Sequence, residues 1–201
     1  MKILSKISSM QIGELIEYIV TKIDSKLIRL KLNKCGDMFY IGPGSRLAGL
    51  KSISVGNNFY AGRGFWMEGI YNYAGEKYTP ILKIGDNFCA AHNVHISINN
   101  SLEIGNNVLI GSKVLITDHT HGAYDLPSID NLKIPPINRK LSKNGFVIVE
   151  DNVWICDGAV IAAGVTIGKG SIIGPNSVVS KNVDQYSLVS GNPAKIIKHL
   201  I

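Results

Sequence analysis

An all-β chain wound into a parallel β-helix of six-residue repeats is the fold this sequence predicts, and three observations carry it. In VIVEDNVWICDGAVIAAGVTIGKGSIIGPNSVVSKN, the residues Val149, Ile155, Ile161, Ile167, Ile173 and Val179 recur at every sixth position. Neither the period of about 3.6 of a helix nor that of about 2 of an ordinary strand produces such spacing. A chain that turns a corner every six residues does, with three hexads making one triangular coil and each coil stacking on the last. The second observation is what lies between the aliphatic positions: IGDN, IGNN, IGKG and IGPN supply Gly, Asn and Asp, the residues that turn tightly. The third is composition, with 21 glycines, only 7% aromatic residues and an apolar content of mainly Ile, Val and Leu.

Residues 1–40 stand outside the repeat. From Ile12 onward Leu15, Ile16, Ile19, Val20, Ile23 and Leu27 follow helical spacing, with Ser8 or Ser9 available as an N-cap. A short amphipathic helix is expected, packed on the end of the core or on a neighbouring subunit, since its polar face mixes both charges. No apolar run is long enough for a secretory signal or a membrane span. The repeat itself occupies 41–185. It begins in short pieces of shifted phase, Ile41 with Leu47, then Val55, Ala61 and Met67, and settles at Ile84, Ala90 and Ile96 and again at Ile98, Ile104, Ile110 and Ile116. Residues 186–201 form a tail.

Within that regularity VLITDHTHGAYD, Val114 to Asp125, is an interruption. The stretch 118–146 contains Pro127, Pro135, Pro136 and Arg139 and is too polar and proline-broken to continue the coil. A loop of this length in a compact protein is usually functional. It opens on His119 and His121, and histidine is the side chain that titrates nearest neutral pH.

Charge and cysteines narrow the setting. A net charge of +6 is compatible with nucleic acid, acidic lipid or a phosphate-bearing small molecule, but no nucleic-acid recognition module is present and the lysines are scattered except near the C-terminal end. Cys35, Cys89 and Cys156 are odd in number and lack metal-ligand spacing, so reduced thiols in a cytoplasmic protein are expected, with no metal.

Over Ile41 to Lys181 the repeat resembles the hexapeptide-repeat acyltransferases. TDHTHG with its long loop, VEDNVWICDGAVIAAGVTIG, and VVSKNVDQYSLVSGNPAKIIK together resemble the branch of galactoside and maltose acetyltransferases and of the O-acetyltransferases of bacterial surface polysaccharides such as O-antigen and capsule. The resemblance implies a left-handed β-helix, a cytoplasmic homotrimer, acetyl-CoA as donor and a sugar or oligosaccharide hydroxyl as acceptor. It implies His119 as the base, with His121 the alternative or a pocket-forming neighbour, and Trp154 lining the donor-acceptor site. On the donor side it points to Asp157, Pro175, Ser180, Lys181, Lys195 and Lys198; on the acceptor side to Asn93, His121 and Arg139. Cys156 stands where the pattern usually has Gly, and Asp157 where it has a small hydroxyl or Ala. His92 and His95 are expected at corners or on the surface, and His199 in solvent. Two other classes share the repeat: N-acetyltransferases acting on a nucleotide-linked or amino sugar, and carbonic-anhydrase-like or non-catalytic β-helices, in which histidines from two subunits would gather zinc.

Overall fold

In the computed structural model, which describes residues 11–122, 133–143 and 145–201, the hexad aliphatics point into one interior. Val149, Ile155, Ile161, Ile167, Ile173 and Val179 are each at most 1% exposed. Three parallel sheets enclose this column. The first holds Lys34–Cys35, Ile53–Val55, Ile81–Ile84, Ser101–Ile104, Phe146–Val149 and Val165–Ile167. The second holds Phe39–Ile41, Phe59–Ala61, Cys89–Ala90, Leu109–Ile110, Trp154–Ile155, Ile172–Ile173 and Ser187–Gly191, with Ala194–His199 added antiparallel at its margin. The third holds Arg46–Ala48, Trp66–Gly69, His95–Ile98, Leu115–Thr117, Val160–Ile161 and Val178–Val179. The chain visits them in rotation, so every internal strand pairs with the coil before and the coil after.

The corners explain the turn residues of the repeat. Between the first and second sheets Asn58, Asn87, Asn107 and Asn152 all sit in the left-handed region, with φ of 57° to 59°, which asparagine tolerates better than most L-residues. Their amides form a ladder: Asn58 Nδ2 donates to Asn87 Oδ1 at 2.7 Å, Asn87 to Asn107 at 2.9 Å and Asn107 to Asn152 at 3.1 Å. Between the second and third sheets Ser112 N–H donates to Asp157 Oδ1 at 2.6 Å, and Arg63 N–H to His92 Nδ1 at 3.1 Å. At the N-terminal end Phe39, Phe59 and Phe88 stack at 5.1 and 5.0 Å and fill the corner from inside.

Partner separations along the third sheet show where additional residues leave the coil. They are 20 from Leu47 to Met67, 29 from Met67 to Ile96, 20 from Ile96 to Ile116, 45 from Ile116 to Ile161 and 18 from Ile161 to Val179. Each surplus falls at the corner leading from the third sheet back to the first. In order these are the turn Leu50–Ser52, the hairpin of Asn72–Tyr73 with Glu76–Lys77, the pair Asn99 and Asn100, and the excursion from Asp118 to Gly145. The phase shifts of the hexad pattern are these insertions.

The helix spans Ile12–Arg29 and begins at Gln11, whose N–H donates to Glu14 Oε2 at 3.0 Å; Ser8 and Ser9 lie outside the described residues. Of the two expected placements, its apolar stripe does not take the end of this chain's core. Thr21 and Ser25 are its buried residues, and Ser25 Oγ both accepts from Ile41 N–H at 3.2 Å and donates to Ile41 O at 3.3 Å. Arg63 grips Glu17 through two hydrogen bonds of 2.9 and 2.8 Å. Ile16, Ile19, Ile23 and Leu27 are therefore held outward, each about half exposed, and do not meet the end of this chain's core. Small hydroxyls let the helix approach the sheet closely, and the ion pair fixes its rotation. Among the described residues no helix is long and apolar enough to cross a membrane.

Removing one rung of the interior tests the column. Ile110→Ala, at a side chain with no exposed surface, should lower stability by about 2–5 kcal/mol, read as an earlier midpoint in urea denaturation followed by circular dichroism.

Candidate active site

The insertion-bearing corner builds a cleft of about 680 Å³ between the hairpin after Gly69 and the root of the 118–145 excursion. His119, His121, Thr117, Leu115, His95 and Glu68 are among its walls. Asp118 anchors the arrangement. Its side chain has no exposed surface, its Oδ1 accepts the N–H of Asn99 at 2.9 Å, and its Oδ2 accepts those of Asn100 and Ser101 at 2.8 Å each. The carboxylate thus plugs the two-residue insertion of the previous coil. Oδ1 also lies 2.9 Å from His119 Nδ1. A carboxylate only accepts, so Nδ1 donates, and in the neutral imidazole this tautomer leaves the lone pair on Nε2. The His119 side chain is 9% exposed.

The excursion leaves and returns as a short paired neck. Ser142 N–H donates to Thr120 O at 2.9 Å, Gly122 N–H to Lys140 O at 2.9 Å, and His121 forms an antiparallel bridge with Leu141. At its root a Cβ on Gly145 would collide with the Asp118 carbonyl, so only glycine lets the two limbs cross. The hairpin holds the returning limb. Tyr78 Oη donates to Leu141 O at 3.2 Å and accepts Leu141 N–H at 2.9 Å, and Tyr73 Oη donates to Ile137 O at 3.1 Å. Glu76 receives Lys140 at 2.7 Å and Lys143 at 2.6 Å, and these hydrogen bonds hold its carboxyl down to about 2. Because that value falls on folding, the pairing is complete above the ordinary carboxylate range and is lost as pH drops toward 2.

His95 is not a corner or surface residue as its sequence position suggested. It sits on His95–Ile98 of the third sheet and faces the cleft, stacked on Trp66 with centroids 4.1 Å apart. Burial pushes its imidazole toward the neutral form, with neighbouring Glu68 working against that and His119 with it. Its Nε2 is buried without a hydrogen-bond partner among the described residues, 3.8 Å from Glu68 Oε1, too far for a hydrogen bond. Ser97 Oγ donates to the same Glu68 oxygen at 3.0 Å.

Comparison with known proteins gives the fold its name. Residues 146–181 match the family model for the bacterial transferase hexapeptide (six repeats). No curated protein matches the chain in sequence. Among solved structures, the N-acyltransferase AntD from Bacillus cereus, in complex with dTDP-4-amino-4,6-dideoxyglucose and coenzyme A, superposes with a TM-score of 0.64 at 19% identity over 88% of each chain. A maltose O-acetyltransferase from Clostridium difficile 630 gives 0.57 at 20% identity, covering 100% of this chain and 83% of that one. A galactoside acetyltransferase in complex with coenzyme A gives 0.52 at 19%, covering 100% and 78%. The chain is a left-handed hexapeptide-repeat β-helix. At these identities the likeness speaks for the fold alone.

On the hexapeptide-repeat prism the residues singled out in sequence fall into separate groups. His119 and His121 share the cleft, where His121 meets Tyr73 edge-on at 5.2 Å. Trp154, 46% exposed, projects from the second sheet in register with Leu109 and Ile172. Lys195 and Lys198 are exposed on the marginal strand of that same sheet. Asp157, Pro175 and Asn93 lie at the corners between the second and third sheets; Asn93 takes a left-handed φ of 56°, and Asp157 is engaged with Ser112. Ser180 and Lys181 follow Val178–Val179, at the same corner as the cleft but two coils further along the stack. Arg139 Nε donates to Ile134 O at 2.8 Å within its own loop. Asp118, Glu68 and His95 are the site residues that sequence reasoning passed over. For Asp118 a signal existed, a carboxylate directly before a histidine at a repeat break. Among the described residues no group of three or more His, Cys, Asp or Glu side chains is placed to hold a metal ion.

The Tyr78 clamp has a local readout. Tyr78→Phe removes the oxygen that the Leu141 amide donates to, so hydrogen exchange at Leu141 should accelerate about 5- to 10-fold, as a bond of about 1 kcal/mol implies, while core amides such as Ile110 keep their protection.

Proposed function

We propose that the protein is an acetyl-CoA-dependent O-acetyltransferase acting on a sugar hydroxyl, most simply that of a bacterial surface glycan or its precursor. The observation that carries this reading is the Asp118–His119 pair, a buried carboxylate fixing the tautomer of an imidazole in the wall of a cleft. An alcohol is a poor nucleophile until its proton leaves. His119 Nε2 takes that proton as the hydroxyl oxygen bonds to the thioester carbonyl carbon, and returns it to the sulfur as the carbon–sulfur bond breaks. Asp118 orients the ring and stabilises the imidazolium that forms between the two transfers.

The donor path follows the third sheet. Leu115, a cleft wall, lies in register with Val160 and Val178, an outward aliphatic track running from the cleft toward Ser180 and Lys181. Such a track suits the apolar contacts of a pantetheine arm, and exposed lysines suit its phosphates. Trp154, Lys195 and Lys198 stand on a different face, so within one chain they do not reach the cleft. A cyclic trimer in which one subunit's second sheet faces its neighbour's third sheet unites the two groups. The exposed apolar column of Tyr60, Leu109 and Trp154 on the second sheet supports that contact, and the outward stripe of the N-terminal helix offers a further one. Unpaired cysteines fit the reducing cytoplasm.

Purified protein given acetyl-CoA and a panel of sugars and oligosaccharides, with thiol release monitored and the product located by NMR, tests the reading. His119→Ala should lower kcat by about two to four orders of magnitude, the range for a positioned general base, with acetyl-CoA affinity retained. If only His121→Ala abolishes turnover, the base is His121.

The composite site makes its own prediction. His119→Ala and Trp154→Ala proteins, each impaired alone, should recover about a quarter of wild-type activity when denatured together and refolded as mixed trimers, because about that share of interfaces pairs two intact residues. No recovery would place both residues' work within one chain.

A further inference from the structure

We infer that Glu68 is the specificity-determining residue of the acceptor cleft: it engages the hydroxyls of a neutral sugar and turns away acceptors that carry a phosphate or carboxylate near the reacting hydroxyl. The inference rests on the reading of this cleft as an acceptor site.

Its basis is the charge of the walls. Among the described residues lining the cleft Glu68 is the one carboxylate, and none is lysine or arginine. The remaining polar walls are phenols, an amide, small hydroxyls and imidazoles, contributed by Tyr71, Tyr73, Asn72, Ser97, Thr117 and the histidines. The nearest imidazole, His95, is driven toward neutrality by its burial and so does not cancel the charge. Glu68 itself is fixed from below, since Ser97 Oγ donates to its Oε1 at 3.0 Å, and its side chain is only 20% exposed. Held in this way, one carboxylate can accept two hydroxyl hydrogen bonds from a sugar at little entropic cost.

The third sheet puts Glu68 where it can act. Glu68, Ser97 and Thr117 occupy the same register position in three successive coils, and His119 follows two residues after Thr117. The carboxylate and the base therefore mark two ends of one short column. An acceptor hydrogen-bonded to Glu68 presents its far hydroxyls toward His119, while a negatively charged substituent in that space meets a like charge that no lysine or arginine among the described lining residues offsets. Trp66 stacks on His95 beside the column and braces that wall.

The test is direct binding to the intact protein without acetyl-CoA, followed by NMR shifts of the two tryptophan indoles and of the cleft amides. The probes are matched methyl hexopyranosides, methyl hexuronides and hexopyranoside 6-phosphates of the gluco, galacto and manno series. For the series that binds, the wild type should favour the neutral glycoside over both anionic counterparts by about 30-fold or more, as expected where like charges oppose. Glu68→Gln keeps the shape and an oxygen for Ser97, and should reduce the preference to within about 3-fold while weakening the neutral glycoside. A merely structural role for Glu68 would alter all probes alike and leave the ratio unchanged. Equal binding of neutral and anionic probes by the wild type, an unchanged ratio in the variant, or no binding by any series overturns the inference. Failure of acetyl transfer is read separately, from thiol release, and would sink the proposed reaction while leaving this charge discrimination standing.

Discussion

Every coil in this molecule must close in step with its neighbours, because an internal strand has no hydrogen-bonding partners except those directly before and after it. That constraint governs the rest. Two corners of the prism obey it strictly, and their asparagine and aspartate side chains bond from coil to coil as regularly as the strands do. Residues in excess of a closed coil can leave only where leaving does not break the stack. Here they all leave at the third corner, so four insertions, two of them short and of equal length, lie one above another on one edge. A cleft results without any departure from the repeat elsewhere: the longest insertion supplies one wall, the hairpin of the second-longest supplies another, and the strands between them supply the floor.

Asp118 shows how such a site is reconciled with stability. Inserting Asn99 and Asn100 frees backbone N–H groups that the strand ladder cannot satisfy, and a buried carboxylate satisfies three of them from the next coil. The charge that makes the insertion tolerable then also fixes the neighbouring imidazole. Positioning of the histidine and closure of the corner depend on one side chain, so neither can drift without the other. Tyr78 and Glu76 extend this economy to the limb that returns.

Legibility in the sequence followed the range of the interactions. The coil was readable because its determinants recur locally: one aliphatic residue and one turn residue in every hexad specify both interior and corner. The interruption at His119 was readable for the same reason, as a failure of that recurrence. Glu68 and His95 were not, since what makes them wall residues is register, and the register between Met67 and Ile96 depends on an insertion of unstated length between them. The helix was readable as a helix from its spacing, yet its orientation was not. The apolar stripe suggested the inward face, whereas Ser25 bonded to Ile41 and Glu17 bonded to Arg63 determine which side approaches the sheet. Trp154 was readable as a conspicuous residue, but the face it occupies depends on counting coils.

The marginal strand Ala194–His199 bears on a hazard common to all stacked solenoids. A parallel sheet that ends bare offers its unpaired backbone to another copy, and a regular repeat could then grow end to end into a fibre. This strand reverses direction against Ser187–Gly191, breaks register at Leu188 and Val189, and carries Lys195 and Lys198 along its length. An incoming chain would face the wrong polarity, an irregular spacing and repelling charge at once, so the second sheet stays finite.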